Sequence, residues 1–111
     1  MAIKFFVASS WEDRQIAQEM ARDVSIKYNW VNVSEWWKHE DRSKKLQYAV
    51  EDLANLKQAD VLFVYNGEKK TAGKYVEMGI ALALNKPVFL YGNKLTTVYN
   101  ELVIYKGEKF E

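Results

Sequence analysis

Residues Ala59–Gly92 read ADVLFVYNGEKKTAGKYVEMGIALALNKPVFLYG. This stretch reads as a buried strand, a polar loop, an apolar helix and a second buried strand. Val61, Leu62, Phe63 and Val64 form a short apolar run fenced by Asp60 before and Asn66-Gly67 after. That is the pattern of a strand covered on both faces. Val88, Phe89, Leu90 and Tyr91 repeat it, with Pro87 at the strand entrance, where a missing amide does little harm. Between the two, Tyr75 to Leu84 is apolar almost all round, and Glu77 is the exception.

A carboxylate in an apolar helix costs free energy unless it is paired, solvated or used. Thr71 is expected to cap this helix, and Gly73 lies one turn before Glu77 on the same face. Helical side chains lean toward the N-terminus, so the Glu77 carboxylate is expected over the bare backbone of Gly73. Glycine costs a helix about 1 kcal/mol against alanine; here it leaves room for a ligand. The preceding loop leaves the C-terminal end of a strand, where open parallel sheets bind ligands. The structural alternative is that Glu77 pairs with a lysine or caps a neighbouring helix.

The string TAGKYVEMGIALALNKPVFLYG, from Thr71 to Gly92, resembles the signature of the nucleoside 2-deoxyribosyltransferase-like family. In that family a G-x-x-x-E-x-G helix start carries a nucleophilic glutamate, followed by a small apolar stretch and G-K-P-V. Those places are held here by Gly73, Glu77, Gly79 and Asn85-Lys86-Pro87-Val88. The opening FFVASSW, Phe5 to Trp11, is similar to the family's first strand and loop. The resemblance runs from Ile3 to about Tyr105, with firm motifs only at the two ends of the site. It implies Glu77 as the nucleophile.

The bulk properties are ordinary. A chain of 111 residues, 49% hydrophobic and 28% charged, is expected to fold as one domain over 1–111. A net charge of +1 gives no electrostatic case for a nucleic-acid polymer or a membrane surface. No cysteine and a single histidine, His39, argue against a disulfide framework and a zinc centre. No cofactor or metal is expected. With no basic-apolar leader or long apolar span, a cytoplasmic location is expected.

Ile3 to Ala8 reads as the first strand, and Glu12 to Tyr28 as an amphipathic helix with Ile16, Ala17, Met20, Ala21 and Val24 inward. Ser9 and Ser10 between them either meet an anion, with Arg14 adding charge, or simply cap the helix. Trp11 either stacks on a base or covers the sheet edge. Trp30 to Val33 reads as a short second strand. The following loop, SEWWKHEDRS, brings Trp36 and Trp37 either to the roof of a pocket or to a subunit contact. Glu35, Glu40 and Asp41 read as solvated more readily than catalytic. Ser43 is expected to cap a helix from Lys44 to Lys57, with Leu46, Ala49, Val50, Leu53 and Leu56 as its inner stripe. Glu101 to Tyr105 reads as the last strand.

Alternating strands and helices predict an α/β fold, a flavodoxin/Rossmann-like three-layer sandwich around a five-stranded parallel sheet. The order 2-1-3-4-5 follows from the resemblance and from right-handed crossovers. Relatives often carry a closing helix after the last strand; this chain has none, so a sheet face or edge is expected to be exposed. A homodimer or larger homo-oligomer would cover it.

The chemistry implied is cleavage or transfer at the N-glycosidic bond of a nucleoside or nucleoside 5′-monophosphate, with Glu77 trapping C1′. A general acid must protonate the departing base. The family's aspartate for that task, followed by glycine after the third strand, corresponds here to Asn66 and Gly67. An amide hydrogen-bonds a base but delivers no proton at ordinary pH. The proton would then come from water, a partner chain, or a neighbour such as Glu40 or Asp41. The family's D-x-G-T loop corresponds to Thr71-Ala72-Gly73-Lys74. A hydroxyl at its first place is closer to the related deoxynucleotide N-hydrolases, which carry serine there and bind a 5′-phosphate. Those enzymes have a tyrosine where this chain has Phe6. The site implied thus comprises Glu77 and Asn66, with Ser9, Ser10, Trp11, Arg14, Trp36, Gly67, Thr71 and Gly73 around the substrate. The competing reading is a catalytically silent module that binds a nucleotide-like ligand.

Overall fold

In the computed structural model, which describes residues 2–69 and 71–110 (at Arg42 the backbone alone), the run after Asp60 lies at the centre of the sheet. This strand, β3 (Val61–Asn66), has Val61, Leu62, Phe63 and Val64 all buried. It pairs in parallel with β1 (Lys4–Ala8) on one side and β4 (Val88–Gly92) on the other. The register sets Val7 beside Phe63 and Phe63 beside Phe89. β2 (Val31–Asn32) lies outside β1, and β5 (Ile104–Gly107) outside β4, so the order is 2-1-3-4-5, all parallel. The second strand is shorter than expected, two residues, and just before it the Trp30 ring packs near Phe63 and Tyr28, at 6.2 and 5.1 Å.

Right-handed crossovers put α1 (Arg14–Tyr28) on one face of the sheet and α2 (Lys45–Gln58) and α3 (Gly73–Ala83) on the other. α1 buries Ala17, Met20, Ala21 and Val24 as its spacing predicts, after a 3-10 turn over Trp11–Asp13. Asn29, at φ 57°, ends it in the left-handed conformation asparagine tolerates, its amide donating to Ser25.

α2 departs from expectation. Of its predicted inner stripe only Leu56 is buried, while Leu46 and Val50 are 79% and 60% exposed. The inner positions are Tyr48, Asp52, Asn55, Leu56 and Ala59, again at helical spacing. The cause is where the helix sits. Its C-terminal end packs over β1, whereas its first turns overhang the sheet beside the aromatic loop and meet His39. Ser43 does not cap it. The Asp41 carboxylate accepts from the Ser43 amide at 3.1 Å and hydroxyl at 2.6 Å, capping a 3-10 turn, Arg42–Lys44, that delays α2 to Lys45. At the far end the Lys86 ammonium donates to the carbonyls of Lys57, at 2.6 Å, and Ala59, closing the orphan end of the helix.

Thr71 is likewise not a cap. Ala72, already in the right-handed helical region, takes the N-cap position without a side-chain bond, and Thr71 stands exposed outside it. The buried Lys74 ammonium donates to the Lys69 carbonyl at 2.6 Å and so holds the preceding loop against the helix start. After α3, Asn85 adopts φ 57° where the family pattern has glycine, and Pro87 then leads into β4. Gly92 has φ 89°, and a side chain there would strike the Asn66 carbonyl. Beyond β5, Phe110 packs on Tyr91 at 5.1 Å. No helix among the described residues is long and apolar enough to cross a membrane.

Candidate active site

Where β1 and β3 end, α2 and α3 diverge and leave a cavity of about 370 Å³. That is within the usual range for small-molecule sites, roughly 300–1,000 Å³. Its lining includes Ser9 and Trp11 after β1, Trp36 and His39 from the aromatic loop, Tyr48 and Asp52 from α2, and Gly73, Val76 and Glu77 from α3. Glu77 lies one turn beyond Gly73, and a methyl group added at Gly73 would meet nothing within 4 Å. The sequence places the carboxylate beside open space, and the fold keeps that space open.

Among the described residues Glu77 pairs with no lysine and caps no helix. Burial first, and the negative charge of Asp52 second, push its carboxyl up to about 8. Asp52 is pushed up to about 6, chiefly by burial, against the opposing pull of His39 and with a further push from Glu51. The Asp52 Oδ1 is buried with no hydrogen-bond partner among the described residues, and the His39 Nδ1 lies 3.9 Å from it. His39 is held from two sides. Its ring stacks on Tyr48 at 4.0 Å between centroids, and its Nε2 is 3.4 Å from the Glu51 carboxylate.

The indoles of the loop are buried rather than exposed, at 9% for Trp36 and 8% for Trp37, so they add little apolar surface. Trp36 Nε1 donates to the Val7 carbonyl at 2.6 Å, which pins the ring over the end of β1 as part of the cavity wall. Trp11 stands 6.3 Å from it, and the Arg14 guanidinium lies 4.4 Å from the Trp11 ring centroid while donating to the Trp11 carbonyl. Ser9 donates to the Ser10 carbonyl at 2.8 Å, and Ser10 to the Asp13 carboxylate at 2.9 Å. That carboxylate crowds Gly67 so closely that a side chain there would meet it at 2.5 Å.

Ser9, Trp11, Trp36, Gly73 and Glu77 are thus brought together. Asn66 and Gly67 are not: they line a separate groove of about 1070 Å³ between α3 and the β4–β5 connection. α3 turns Gly73, Val76, Glu77 and Ile80 to the first space and Tyr75, Met78, Gly79 and Leu82 to the second, opposite sides of one helix. The Asn66 amide donates to the Asn93 carbonyl at 2.9 Å and accepts from the Tyr75 hydroxyl at 3.1 Å. Ser10, Arg14 and Thr71 line neither space. Glu40 and Asp41 are exposed outside the cavity. Sequence reasoning missed Tyr48, Asp52 and His39. The legible signal was the spacing Tyr48, Asp52, Asn55, Leu56 and Ala59, hidden by the more apolar stripe beside it.

The comparisons agree with this architecture. A 2-deoxyribosyltransferase from the psychrotolerant bacterium Bacillus psychrosaccharolyticus superposes with a TM-score of 0.68 at 18% identity, over 97% of this chain and 92% of that one. The CMP N-glycosidase BcmB of Clostridium botulinum gives a TM-score of 0.63 at 16% identity, over 94% and 87%. At these identities the likeness establishes a shared fold. No curated protein matches the chain. The family model described as nucleoside 2-deoxyribosyltransferase matches residues 6–110, and the chain therefore belongs to the nucleoside 2-deoxyribosyltransferase family.

Proposed function

We propose that the protein cleaves or transfers at the N-glycosidic bond of a (deoxy)nucleoside or nucleoside 5′-monophosphate, with Glu77 as the nucleophile at C1′. The observation that carries this reading is a carboxylate without an ion-pair partner among the described residues, beside the open backbone of Gly73 in a cavity at the C-terminal ends of the strands. A ligand entering there meets Trp11 and Trp36 as apolar walls for a base and the Ser9 hydroxyl as a polar contact. Attack by the carboxylate forms a glycosyl ester and releases the base; water or a second base then displaces Glu77.

Chromatographic product analysis after incubation with deoxynucleosides and their 5′-monophosphates tests the reading. Free base or exchanged nucleoside is expected from the wild type and is expected to fall by orders of magnitude in Glu77→Gln. A Glu77→Gln protein with wild-type turnover removes Glu77 as the nucleophile.

A second reading, a silent binding module, draws on one observation: the residue at the family's acid position, Asn66, lies on the far side of α3 with both ends of its amide engaged. Ligand binding without products from any substrate would favour it.

A further inference from the structure

The glycosidic reading leaves one chemical task without an owner. The departing base needs a proton, and the residue at the family's acid position is an amide turned away from Glu77. Glu77 itself must shed a proton before it attacks, because burial keeps its carboxyl protonated up to about pH 8. One carboxyl group faces Glu77 within the same cavity. Asp52 projects from α2, its Oδ1 buried and without a hydrogen-bond partner among the described residues. An acceptor buried without a partner costs about 1–3 kcal/mol, so its retention here calls for a use.

We propose that Asp52 is the general acid and base of this site, taking the proton of Glu77 and delivering it to the departing base. The proposal rests on the glycosidic reading above. In the first half-reaction the Glu77 carboxyl loses its proton to the Asp52 carboxylate. The Glu77 oxygen then bonds C1′, the C1′–N bond breaks with its electron pair going to nitrogen, and the Asp52 proton caps that nitrogen or a conjugated one. In the second, water or an acceptor base gives its proton to Asp52 as its oxygen or nitrogen bonds C1′ and the ester oxygen of Glu77 departs as carboxylate. The proton then returns from Asp52 to Glu77. Atoms and charge balance over the cycle without any further reactant.

The surroundings suit the role. The groups facing Asp52 are His39 from the aromatic loop, Glu51 from its own helix and Glu77 from α3. The imidazole is fixed by stacking on Tyr48 and by Glu51, and it holds its Nδ1 3.9 Å from the Asp52 Oδ1. Two carboxyls with separated affinities hold a single proton between them over a window from about 6 to about 8.

The test compares two substrates in wild type and Asp52→Asn: a natural deoxynucleoside or its 5′-monophosphate, and a deoxyribosyl compound with an acidic aryl leaving group that departs without protonation. Asp52→Asn is expected to slow the natural substrate by about 10²–10⁴-fold. The loss on the aryl substrate, assayed at pH 9 where Glu77 is ionised, is expected to be at least tenfold smaller. The wild-type profile on the natural substrate is expected to be bell-shaped. On the aryl substrate the rising limb is expected to move to lower pH in Asp52→Asn, since burial still raises Glu77 but the added push of the Asp52 charge is gone. Equal losses on both substrates, or no loss on either, would overturn the assignment. A wild type that cleaves neither defeats the glycosidic reading itself, a distinct result. Should Asp52→Asn lack a cooperative melt, Asp52→Ser is read in the same assay by the same criteria.

Discussion

The Tyr75 hydroxyl donates to the side-chain carbonyl of Asn66 at 3.1 Å, across the side of α3 that faces away from Glu77. The amide nitrogen of Asn66 donates in turn to Asn93, so the residue works as a brace between α3 and the end of β4. A carboxylate at position 66 would keep the tyrosine bond but face the Asn93 carbonyl with an acceptor in place of a donor. Asn66→Asp is therefore expected to lower stability by about 1–3 kcal/mol and not to accelerate cleavage of natural nucleosides. Thermal melts and product assays check both halves; a faster Asn66→Asp protein would return residue 66 to the acid's role.

The carboxyl of Glu77 gives a pH signature in stability as well as in rate. Its folded value, about 8, lies above its ordinary value of 4.5. The native state therefore binds more protons than the unfolded chain between these limits, and its stability falls as pH rises through that window. The contribution is fully present below about 4.5 and lost above about 8. Glu77→Gln removes this term, so the variant should gain on the wild type in melting temperature between pH 5 and pH 8.5. Parallel melting curves for the two proteins across that range would contradict the burial of this carboxyl.

The phosphate question turns on Arg14 and Asp13. Arg14 is exposed and rests on Trp11, at the cavity mouth, while the Asp13 carboxylate holds the Ser10 hydroxyl that an anion would need. Arg14→Ala is expected to weaken binding of a 5′-monophosphate more than that of its nucleoside, with the difference shrinking in raised salt. Asp13→Asn is expected to act oppositely, favouring the monophosphate. Calorimetry with both ligands decides; equal affinities in all three proteins would leave the serines as structural residues.

The misplaced stripe of α2 predicts assembly. Leu46 and Val50 lie outward one turn apart on α2, and Leu53 and Val76 are 39% and 58% exposed at the rim of the cavity. A contiguous apolar face of this kind is normally covered. The protein is expected to be at least a dimer through this face, and Val50→Glu to shift it toward monomer. Light scattering that finds the wild type monomeric at high micromolar concentration would refute this.

Much was legible from the chain alone because it is local. The apolar runs at Val61–Val64 and Val88–Tyr91, the turn at Asn85-Lys86-Pro87 and the Gly73–Glu77 spacing depend only on neighbours in sequence, and the family resemblance adds the sheet order. The placement of Glu77 beside open backbone follows from helix geometry. What the sequence could not decide was orientation between elements. Which face of α2 turns inward depends on where the helix lands relative to β1, so Ala49, Leu53 and Leu56 of the expected stripe reach the cavity, Leu46 and Val50 do not, and Asp52 went unseen. Which side of α3 receives the side chain of Asn66 depends on its pairing with Asn93 and Tyr75, residues 27 and 9 positions away. Capping went the same way: Asp41 displaced Ser43, and Ala72, without a side-chain bond, took the N-cap position of α3 in place of Thr71. Periodicity fixes which residues can share a face; only tertiary packing, with its competition for buried polar partners, decides what that face meets.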